Sequence, residues 1–439
     1  MLKDNLSRSD ISYLVNSVII FSLIAILAVK VTEIPDGHIW YFISIGFTSF
    51  LLFEFSLAGL VYKTVGDKCF TPRVSLIIPV KNEEEVIYET IKAAAMSNYP
   101  KNLLEIIVVN DGSTDRTAEE LERAKRDFNI KVISLEKNMG KRKAIAAGFR
   151  QASGDIIAIM DSDTFLTRDA LYNAVQYFSD MTVGAVCGQG RVYNKDENIL
   201  TKMQDAWYYG MFNVFKACES VFGMVTCCSG ILSLYRRDAI ERIIDHWSTE
   251  KFLGTELKVG DDRALTNYVL KPGIIQAEDA DDRLLTSYVS KRGWRVVYAK
   301  NAIAYTIVPS TLGKFIKQQI RWKKGWLRGN LYALTFMWRK HPFGAFLYYL
   351  NLILTFLTPV IIARIIYLCI FCAAYKFALI YLVGITYVGI CYSLYQIATD
   401  KSKSGIWRIP FQLSYHLIIS PGLSIYAWLT IKKESWMTR

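Results

Sequence analysis

Acidic side chains in this chain occur at spacings that suit work on a phosphorylated substrate. Asp161 and Asp163 close the sequence IIAIMDSD, and Asp111 follows the apolar run LEIIVVN. Two carboxylates two positions apart in a turn can face one divalent cation; their hard oxygen ligands suit Mg²⁺ or Mn²⁺, which in turn can hold a diphosphate. Lys141 and Lys143 in GKRKA add cations that can meet phosphates, although each alone fits a solvated helix start equally well. A lone Asp-x-Asp is commonly a surface turn, but this combination indicates a nucleotide-diphosphate site.

A second acidic feature occurs twice. Residues 259–293, VGDDRALTNYVLKPGIIQAEDADDRLLTSYVSKRG, repeat Asp-Asp-Arg, a Leu-Thr pair and Tyr-Val about twenty positions apart. A carboxylate of such a pair can act as a general base. The candidates are Asp262 in the first copy and Asp282 in the second. The alternative for the spare copy is a solvated acidic helix start, which the helix dipole favours.

Alternating strands and helices must position these acids. VSLIIPV (74–80) and LEIIVVN (104–110) are typical of buried parallel strands, and amphipathic stretches such as TDRTAEELERAKRDF follow them. The alternation predicts an α/β fold with a doubly wound, mostly parallel sheet, in a domain that spans residues 67–312. Ligands of such sheets collect at the carboxyl ends of the strands, where the acids lie.

Two apolar segments precede this domain. Hydrophobic residues make up 52% of the chain, more than in an ordinary soluble enzyme. Residues 12–33 and 39–62 are each long enough to cross a bilayer, so we predict two transmembrane helices within residues 1–66. The loop between them is acidic and basic residues follow the second, so the positive-inside rule places the domain in the cytoplasm.

Apolar segments also follow the domain, within residues 343–439. Residues 344–373 and 376–397 are apolar enough to span, whereas 407–431 is broken by Pro-Gly. The basic ending KKESWMTR favours a cytoplasmic terminus, which requires an even number of crossings in total. Either the first segment holds two short elements or the last one dips in and returns; the alternatives stay open.

The net charge of +12 has a local origin. Basic residues crowd residues 313–342, beside a predicted span, in the sequence KFIKQQIRWKKGWLRG. Amphipathic helices lying on an anionic leaflet explain this cluster better than nucleic acid does. We therefore expect the lipid bilayer as a partner and no nucleic acid.

Seven motifs follow one another along the chain: IIPVKNEE, VVNDGSTD, GKRKA, MDSD, TCCSGILSLYRR, GDDRALTN and QQIRW. In this order they resemble the membrane-embedded, processive family 2 glycosyltransferases, with the closest likeness to hyaluronan synthases. The resemblance covers nearly the whole chain, including the flanking spans and the WMTR ending. It implies a GT-A-like fold and a multi-pass enzyme of the plasma membrane. It also implies UDP-sugar donors, Mg²⁺ or Mn²⁺ as cofactor, and a growing polysaccharide as acceptor.

The resemblance implies roles for the residues on the donor side. Asp111 would hold the uridine part of the donor. Asp163 would hold the metal, with Asp161 nearby. Lys141 and Lys143 would lie near the nucleotide.

It also implies roles for residues elsewhere in the site. Arg321 would meet the diphosphate as a bidentate donor, and Trp322 would offer a flat face to a sugar ring. An anchor at the membrane interface is the alternative for this tryptophan. Gln318, at the start of QxxRW, would have a supporting role. Pro79 and Glu83 of IIPVKNEE are further substrate-binding candidates.

Both copies of the acidic stretch obey the family pattern. In that pattern the base is the second Asp of the pair, and a helix runs from it to a Gly eleven positions on. Asp262 leads in this way to Gly273, and Asp282 leads to Gly293. A tandem duplication of about twenty residues explains the repeat, and one copy must then be an insertion.

The sequence before the two copies and the sequence after them favour different copies as the bearer of the base. The upstream context favours the first copy, which keeps Gly260 and Asn267 where the second has Ala280 and Ser287. The downstream context favours the second, because only its final glycine leads into the expected strand WRVVYAKNAIAYT. The helix that bears the base must be followed directly in the chain by that strand. We therefore predict Asp282 as the base, with Asp262 as the alternative.

The predicted product is hyaluronan, made from UDP-GlcNAc and UDP-GlcA and exported through the membrane helices. Two departures bear on it: hyaluronan synthases usually carry Glu-Arg in place of Phe215-Lys216, and a Ser in place of Gly325. Alternatives within the family are chitin-oligosaccharide, poly-N-acetylglucosamine and cellulose-type synthases. A non-processive transferase with a lipid acceptor would not need QxxRW, which is present.

Overall fold

The structure, a computed structural model, describes residues 7–32, 39–273, 289, 291–400 and 403–432. The strands are β1 (Val74–Val80), β2 (Leu104–Asn110), β3 (Lys131–Ser134), β4 (Ile156–Ile159), β5 (Thr164–Leu166), β6 (Val183–Val192), β7 (Ser233–Arg236), β8 (Lys251–Phe252), β9 (Thr255–Glu256) and β10 (Arg295–Thr306).

Eight of these strands form one sheet in the order β3-β2-β1-β4-β7-β6-β10-β5, and β8 and β9 form a small hairpin. β1 runs parallel to β2 and β4, β2 to β3, and β6 to β10. β7 is antiparallel to both of its neighbours, and β5 is an antiparallel edge strand on β10. Every residue of β1 is buried, which is why its sequence is an unbroken apolar run with helices covering both faces. The predicted doubly wound, mostly parallel sheet is confirmed.

Helices cover this sheet and flank the domain. They are α1 (Arg8–Thr32), α2 (Ile39–Ser56), α3 (Ile87–Ala95), α4 (Thr117–Asp127), α5 (Lys141–Arg150), α6 (Ala170–Val175), α7 (Ile199–Gly210), α8 (Ala217–Val221), α9 (Arg237–Ile240), α10 (Ile244–Ser248), α11 (Asp261–Leu270), α12 (Leu312–Ala333), α13 (Pro342–Cys372), α14 (Lys376–Thr399), α15 (Arg408–Ser414) and α16 (Ser420–Leu429). Short 3-10 turns lie at Lys101–Leu103, Gln176–Ser179, Met337–Arg339 and Lys403–Trp407, and π-helical turns at Leu57–Val61, Met211–Lys216 and Tyr415–Ile419.

Four helices in the described part of the chain are long and apolar enough to cross a membrane. They are Ser9–Thr32, Ile39–Val61, Pro342–Cys372 and Lys376–Thr399. They coincide with the four uninterrupted apolar segments of the sequence. The segment 407–431, which the sequence left open, consists of α15, a π-helical turn and α16, and is not among them.

The domain is tied to these helices by polar contacts. Arg191 of β6 forms an ion pair with Asp400, just past the end of α14, at 3.0 Å. The Tyr209 hydroxyl of α7 shares a 2.6 Å hydrogen bond with Thr399. The sheet and the apolar helices therefore form one packed unit.

Candidate active site

Lys141 is the point at which acids from separate segments meet. Its Nζ lies 2.7 Å from Asp161 Oδ1, 2.8 Å from Asp261 Oδ2 and 3.8 Å from Asp262 Oδ1. Asp161 lies just beyond the carboxyl end of β4, whereas the other two acids begin α11. Burial alone would lower the pKa of Lys141, but the three carboxylates raise it well above its ordinary value. The strand-end acid and the first Asp-Asp-Arg copy thus share one cationic centre.

Asp262 is held by the backbone of the TCCSG segment, residues 226–230. The Gly230 N–H donates to Asp262 Oδ2 at 2.9 Å. The carbonyl oxygen of the same glycine accepts from the backbone N–H of Asp161 at 2.8 Å. A Cβ at this position would lie 2.7 Å from Asp161 Oδ2, so only glycine lets the backbone approach both acids.

The paired acids of α11 differ in proton affinity. Burial and the neighbouring Asp261 carboxylate raise the pKa of Asp262 to about 8. Burial alone would raise the pKa of Asp261, but the Lys141 ammonium outweighs burial and lowers that pKa well below its usual value. One group of the pair therefore stays ionised, while the other has the affinity for a proton that general base catalysis near neutral pH requires.

Asp111 and Lys143 have protein partners in this structure. Asp111 is buried, and its two carboxylate oxygens accept from the N–H groups of Met139 at 2.6 Å and Gly140 at 2.9 Å. It therefore shapes the loop that leads into Lys141. Lys143 lies roughly 200° further round the helix, and it pairs with Glu256 of the β8–β9 hairpin at 2.6 Å. The nucleotide-binding roles of both residues stay predictions.

The remaining candidates on the donor side lie along the same edge of the sheet. Pro79 is buried in β1, beside Val109 of β2. Glu83 follows that strand, and its N–H donates to the Thr117 hydroxyl at 2.9 Å. Asp163 is buried between β4 and β5, two residues past Asp161. Their contacts with substrate or metal also stay predictions.

Helix α12, which carries QxxRW, packs directly on the helix that begins with the acids. A Cβ at Gly260, the N-cap of α11, would lie 2.7 Å from Gly325 Cα, and the reverse contact would be 2.8 Å. One turn further along α12, the Gly329 carbonyl accepts from the side-chain amide of Asn267 at 2.8 Å. Gly325 therefore lets the two helices meet backbone to backbone, and Gly329 leaves room for the Arg263 side chain of α11.

Trp322 of QxxRW lies against two aromatic residues of α7. The ring centroid of Trp322 is 5.6 Å from that of Trp207, with an interplanar angle of 26°, and 6.3 Å from that of Tyr208. Burial raises the pKa of Tyr208, Asp161 raises it further and Arg321 lowers it, so this phenol lies within reach of both charges. The side-chain oxygen of Gln318 is buried with no hydrogen-bond partner in the described part of the chain. This unsatisfied acceptor fits a supporting role toward a ligand.

Asp282, the predicted base, lies outside the described residues, so the choice between the copies stays a prediction. The N–H of Trp294, which precedes β10, donates to the carbonyl of Val269 at 3.2 Å, and Lys340 Nζ donates to the carbonyls of Leu270 and Trp294 at 3.1 and 3.0 Å. The helix of the first copy thus ends beside the start of β10. Because the helix of the first copy already meets β10 in space, the helix and the strand need not follow one another directly in the chain.

Sequence reasoning did not single out the groups that hold the acids. Gly230 is one residue of the motif TCCSG, whereas Trp207 and Tyr208 lie in none of the seven motifs. The succession Trp-Tyr-Tyr within a helical segment was the available signal for an aromatic platform. A backbone N–H that serves one carboxylate leaves no mark on residue type, apart from the glycine.

The donor set at the end of β4 fits a hard divalent cation. Within the described ranges no group of three or more His, Cys, Asp or Glu side chains forms a site with protein ligands alone. Mg²⁺ at phosphate sites commonly takes only one or two carboxylates, with phosphate oxygens completing its shell. Asp161 already holds a cation, the Lys141 ammonium, at 2.7 Å. Asp161 and Asp163 together are compatible with a metal shared with a diphosphate.

Comparisons with known proteins agree with this geometry. Residues 75–244 match the Glycosyl transferase family 2 model. A hyaluronan synthase of Streptococcus pyogenes is 30% identical over 402 residues, which cover 89% of this chain and 88% of that protein. An N-acetylglucosaminyltransferase of Rhizobium meliloti (strain 1021) is 35% identical over 278 residues, 63% of this chain and 60% of that protein.

A solved structure shares the fold. A mannosyltransferase from Pyrobaculum calidifontis, in complex with GDP-Man and Mn²⁺, aligns with a TM-score of 0.59 at 21% identity, covering 96% of this chain and all of that one. The GT-A-like fold expected from the motifs is thereby confirmed. The likeness to the synthases over most of their length, together with the matched domain, identifies the reaction class: the chain belongs to glycosyl transferase family 2 and is a glycosyltransferase.

Proposed function

We propose that this chain is a processive, inverting synthase that polymerises sugars from UDP-sugar donors and exports the polymer across the membrane. The proposed product is hyaluronan, from UDP-GlcNAc and UDP-GlcA. One observation carries the proposal: α12, with its QxxRW motif, packs through Gly325 on the N-cap of the helix whose Asp262 lies beside Lys141 and Asp161. The acidic centre and the tryptophan of QxxRW are therefore held by the same pair of packed helices, α11 and α12.

Asp262 is the proposed general base. In an inverting transfer the base removes the proton of the acceptor hydroxyl as that oxygen attacks the anomeric carbon, and the bond from that carbon to the UDP oxygen breaks. The raised pKa of Asp262, about 8, suits this task because the carboxylate can hold the proton it takes. The Gly230 N–H orients Oδ2 of this carboxyl group, whereas Oδ1 faces the Lys141 ammonium at 3.8 Å.

The departing UDP needs positive charge. Lys141 is placed beside the acids, and Arg321 lies on the helix that packs against them. Asp163, with Asp161, would hold Mg²⁺ or Mn²⁺, which when bound supplies further charge neutralisation for the diphosphate. The guanidinium adds a planar, bidentate donor that an ammonium cannot provide.

The acceptor sugar is proposed to lie near Trp322. Its stacking with Trp207 at 5.6 Å makes a continuous apolar wall, and flat aromatic faces suit the apolar face of a pyranose ring. Phe411 of α15 extends the wall, with its centroid 5.8 Å from that of Trp207. The wall therefore reaches α15, which packs closely on the candidate span α14, since a Cβ at Gly389 would lie 3.0 Å from Ile409 Cα. This arrangement supports export of the polymer through the membrane helices.

The experiment supplies purified membranes with UDP-GlcNAc alone, UDP-GlcA alone, and both, each with Mg²⁺ or Mn²⁺. Polymer should form only with both donors, and hyaluronidase should degrade it. Sugar incorporated into organic-soluble lipid, with no polymer, would contradict processive synthesis altogether.

A second product class has a specific observation in its favour. The rhizobial N-acetylglucosaminyltransferase is 35% identical where it aligns, a higher value than the 30% of the streptococcal synthase, although over less of the chain. A polymer or oligomer made in high yield from UDP-GlcNAc alone, resistant to hyaluronidase and sensitive to chitinase, would establish this alternative.

A further inference from the structure

Lys216 lies in the interior directly behind the segment that holds the acids. It ends the π-helical turn Met211–Lys216 between α7 and α8, and only 4% of its surface is exposed. Its ammonium lies 4.7 Å from the ring centroid of Phe212. Burying a cation is costly unless its donors are satisfied, so its partners indicate what the charge is for.

All three donors of this ammonium have an acceptor. Lys216 Nζ lies 2.6 Å from the Cys227 carbonyl, 2.7 Å from Ser229 Oγ and 3.2 Å from Cys187 Sγ. Two of these partners belong to the TCCSG segment. An ammonium has three donors, so these contacts saturate it and fix the segment from behind.

The front of the same segment holds the acids. Gly230, the residue after Ser229, donates its N–H to Asp262 Oδ2 and accepts from the N–H of Asp161. Cys228 N–H donates to the Thr266 hydroxyl, which in turn donates to the Asp262 carbonyl. The buried ammonium is therefore linked to both acids through two adjacent residues: Ser229 accepts its hydrogen bond, and Gly230 bonds to Asp262 and Asp161.

We propose that Lys216 is a positioning residue for sugar transfer: through Ser229 and Gly230 it sets the position of the Asp262 carboxylate relative to Asp161. It acts through this backbone and does not touch the substrate. The inference rests on the proposed role of Asp262 as the base. It also gives a function to a position at which this chain departs from the usual Glu-Arg pair of hyaluronan synthases, since the lysine keeps the positive charge.

The test compares Lys216→Met with Lys216→Arg in the full-length chain in membranes. The measured quantity is UDP release with UDP-GlcNAc and UDP-GlcA. Lys216→Met keeps the apolar stem and removes the donors, so kcat should fall about tenfold or more, the scale on which small misplacements act. Donor KM should change less than about twofold, because the donor contacts are intact. Lys216→Arg should recover kcat to within about threefold of wild type.

Lys300→Met is the matched control, because this partly buried lysine lies in β10 of the same domain, where the charges near it are Arg191 and Asp400. It should leave kcat within about twofold of wild type. If Lys216→Met retains wild-type kcat, or if KM rises while kcat is unchanged, the inference is wrong. If Lys216→Met does not fold, Ser229→Ala decides: it removes one acceptor, and an unchanged kcat would overturn the proposal.

Asp262→Asn, assayed in parallel, separates this inference from the function on which it rests. If Asp262→Asn is inactive while Lys216→Met is fully active, only the positioning role fails. If Asp262→Asn is as active as wild type, the proposed base is wrong, and the positioning role fails with it.

Discussion

Gly260 and Gly325 lie in backbone contact, so closely that a Cβ on either would come within 2.8 Å of the other's Cα. The first residue caps the helix that bears Asp262, and the second lies three positions past Trp322 in the helix that bears QxxRW. The contact therefore sets the distance between the proposed base and the proposed sugar platform. Gly260 also has a φ of +78°, a conformation that side chains disfavour.

Gly325→Ala should impair both stability and transfer. The added methyl forces the helices apart, and overpacking of this kind costs about 1–3 kcal/mol. We expect a lower thermal unfolding midpoint and a reduced rate of UDP release. Gly313→Ala is the control, since it adds the same methyl to the first turn of the same helix, where no heavy atom lies within 4 Å. Equal effects of the two substitutions would contradict the close contact as the cause.

Asp262→Asn should reduce polymer synthesis at least about a hundredfold, the usual scale for loss of general base catalysis. Asp282→Asn is its matched control in the second copy and should change the rate little. Both variants are assayed by their rates of UDP release and of sugar incorporation. The reverse result would restore the second copy as the working one, and loss of activity in both would mean that the copies act together.

Removal of residues 274–293 should leave an active enzyme. This deletion takes out the second copy and joins Gly273 to Trp294. Because Trp294 N–H already bonds to the Val269 carbonyl, the helix of the first copy ends where β10 begins, and Gly273 can take the place of Gly293. Folding is checked by size-exclusion chromatography in detergent, and activity by sugar incorporation. A folded but inactive deletion variant would show that the second copy carries function.

The pH profile should report the raised pKa of Asp262. A base must be ionised to accept a proton, so kcat/KM should rise with pH up to about 8 and level off above it. A carboxyl group at its ordinary pKa would give a flat profile from about pH 6 to about pH 9. Circular dichroism across the same range controls for unfolding. A kcat/KM that decreases between about pH 6 and about pH 9 while the fold stays intact would contradict the assignment.

Asp163→Asn should abolish metal-supported transfer while the protein stays folded. The amide keeps the size of the side chain but loses the charge that a divalent cation requires. The measurements are activity against Mg²⁺ or Mn²⁺ concentration and Mn²⁺ binding in the presence of UDP. The exposed Asp196→Asn, the same change outside the site, should leave both as in wild type. Retained metal-dependent activity in Asp163→Asn would show that the cation is held elsewhere.

The sequence by itself determined the sheet, the apolar helices and the membership of the family. Buried strands such as Val74–Val80 and spans such as Pro342–Cys372 are local properties, because burial on both faces or length in hydrocarbon selects apolar residues without reference to distant partners. The acids at the ends of strands were likewise visible, since each follows its own strand.

Only the tertiary structure decided how these pieces meet. Lys141 lies twenty positions from Asp161 and 120 from Asp261, yet one ammonium contacts both, and no local pattern encodes that distance. The duplicated stretch shows the limit most clearly. Spacing favoured neither copy, whereas the contacts of Gly260 and Asn267 with α12 depend on residues that the second copy replaces with Ala280 and Ser287. Such contacts join segments distant in sequence, so they appear only when the chain is packed.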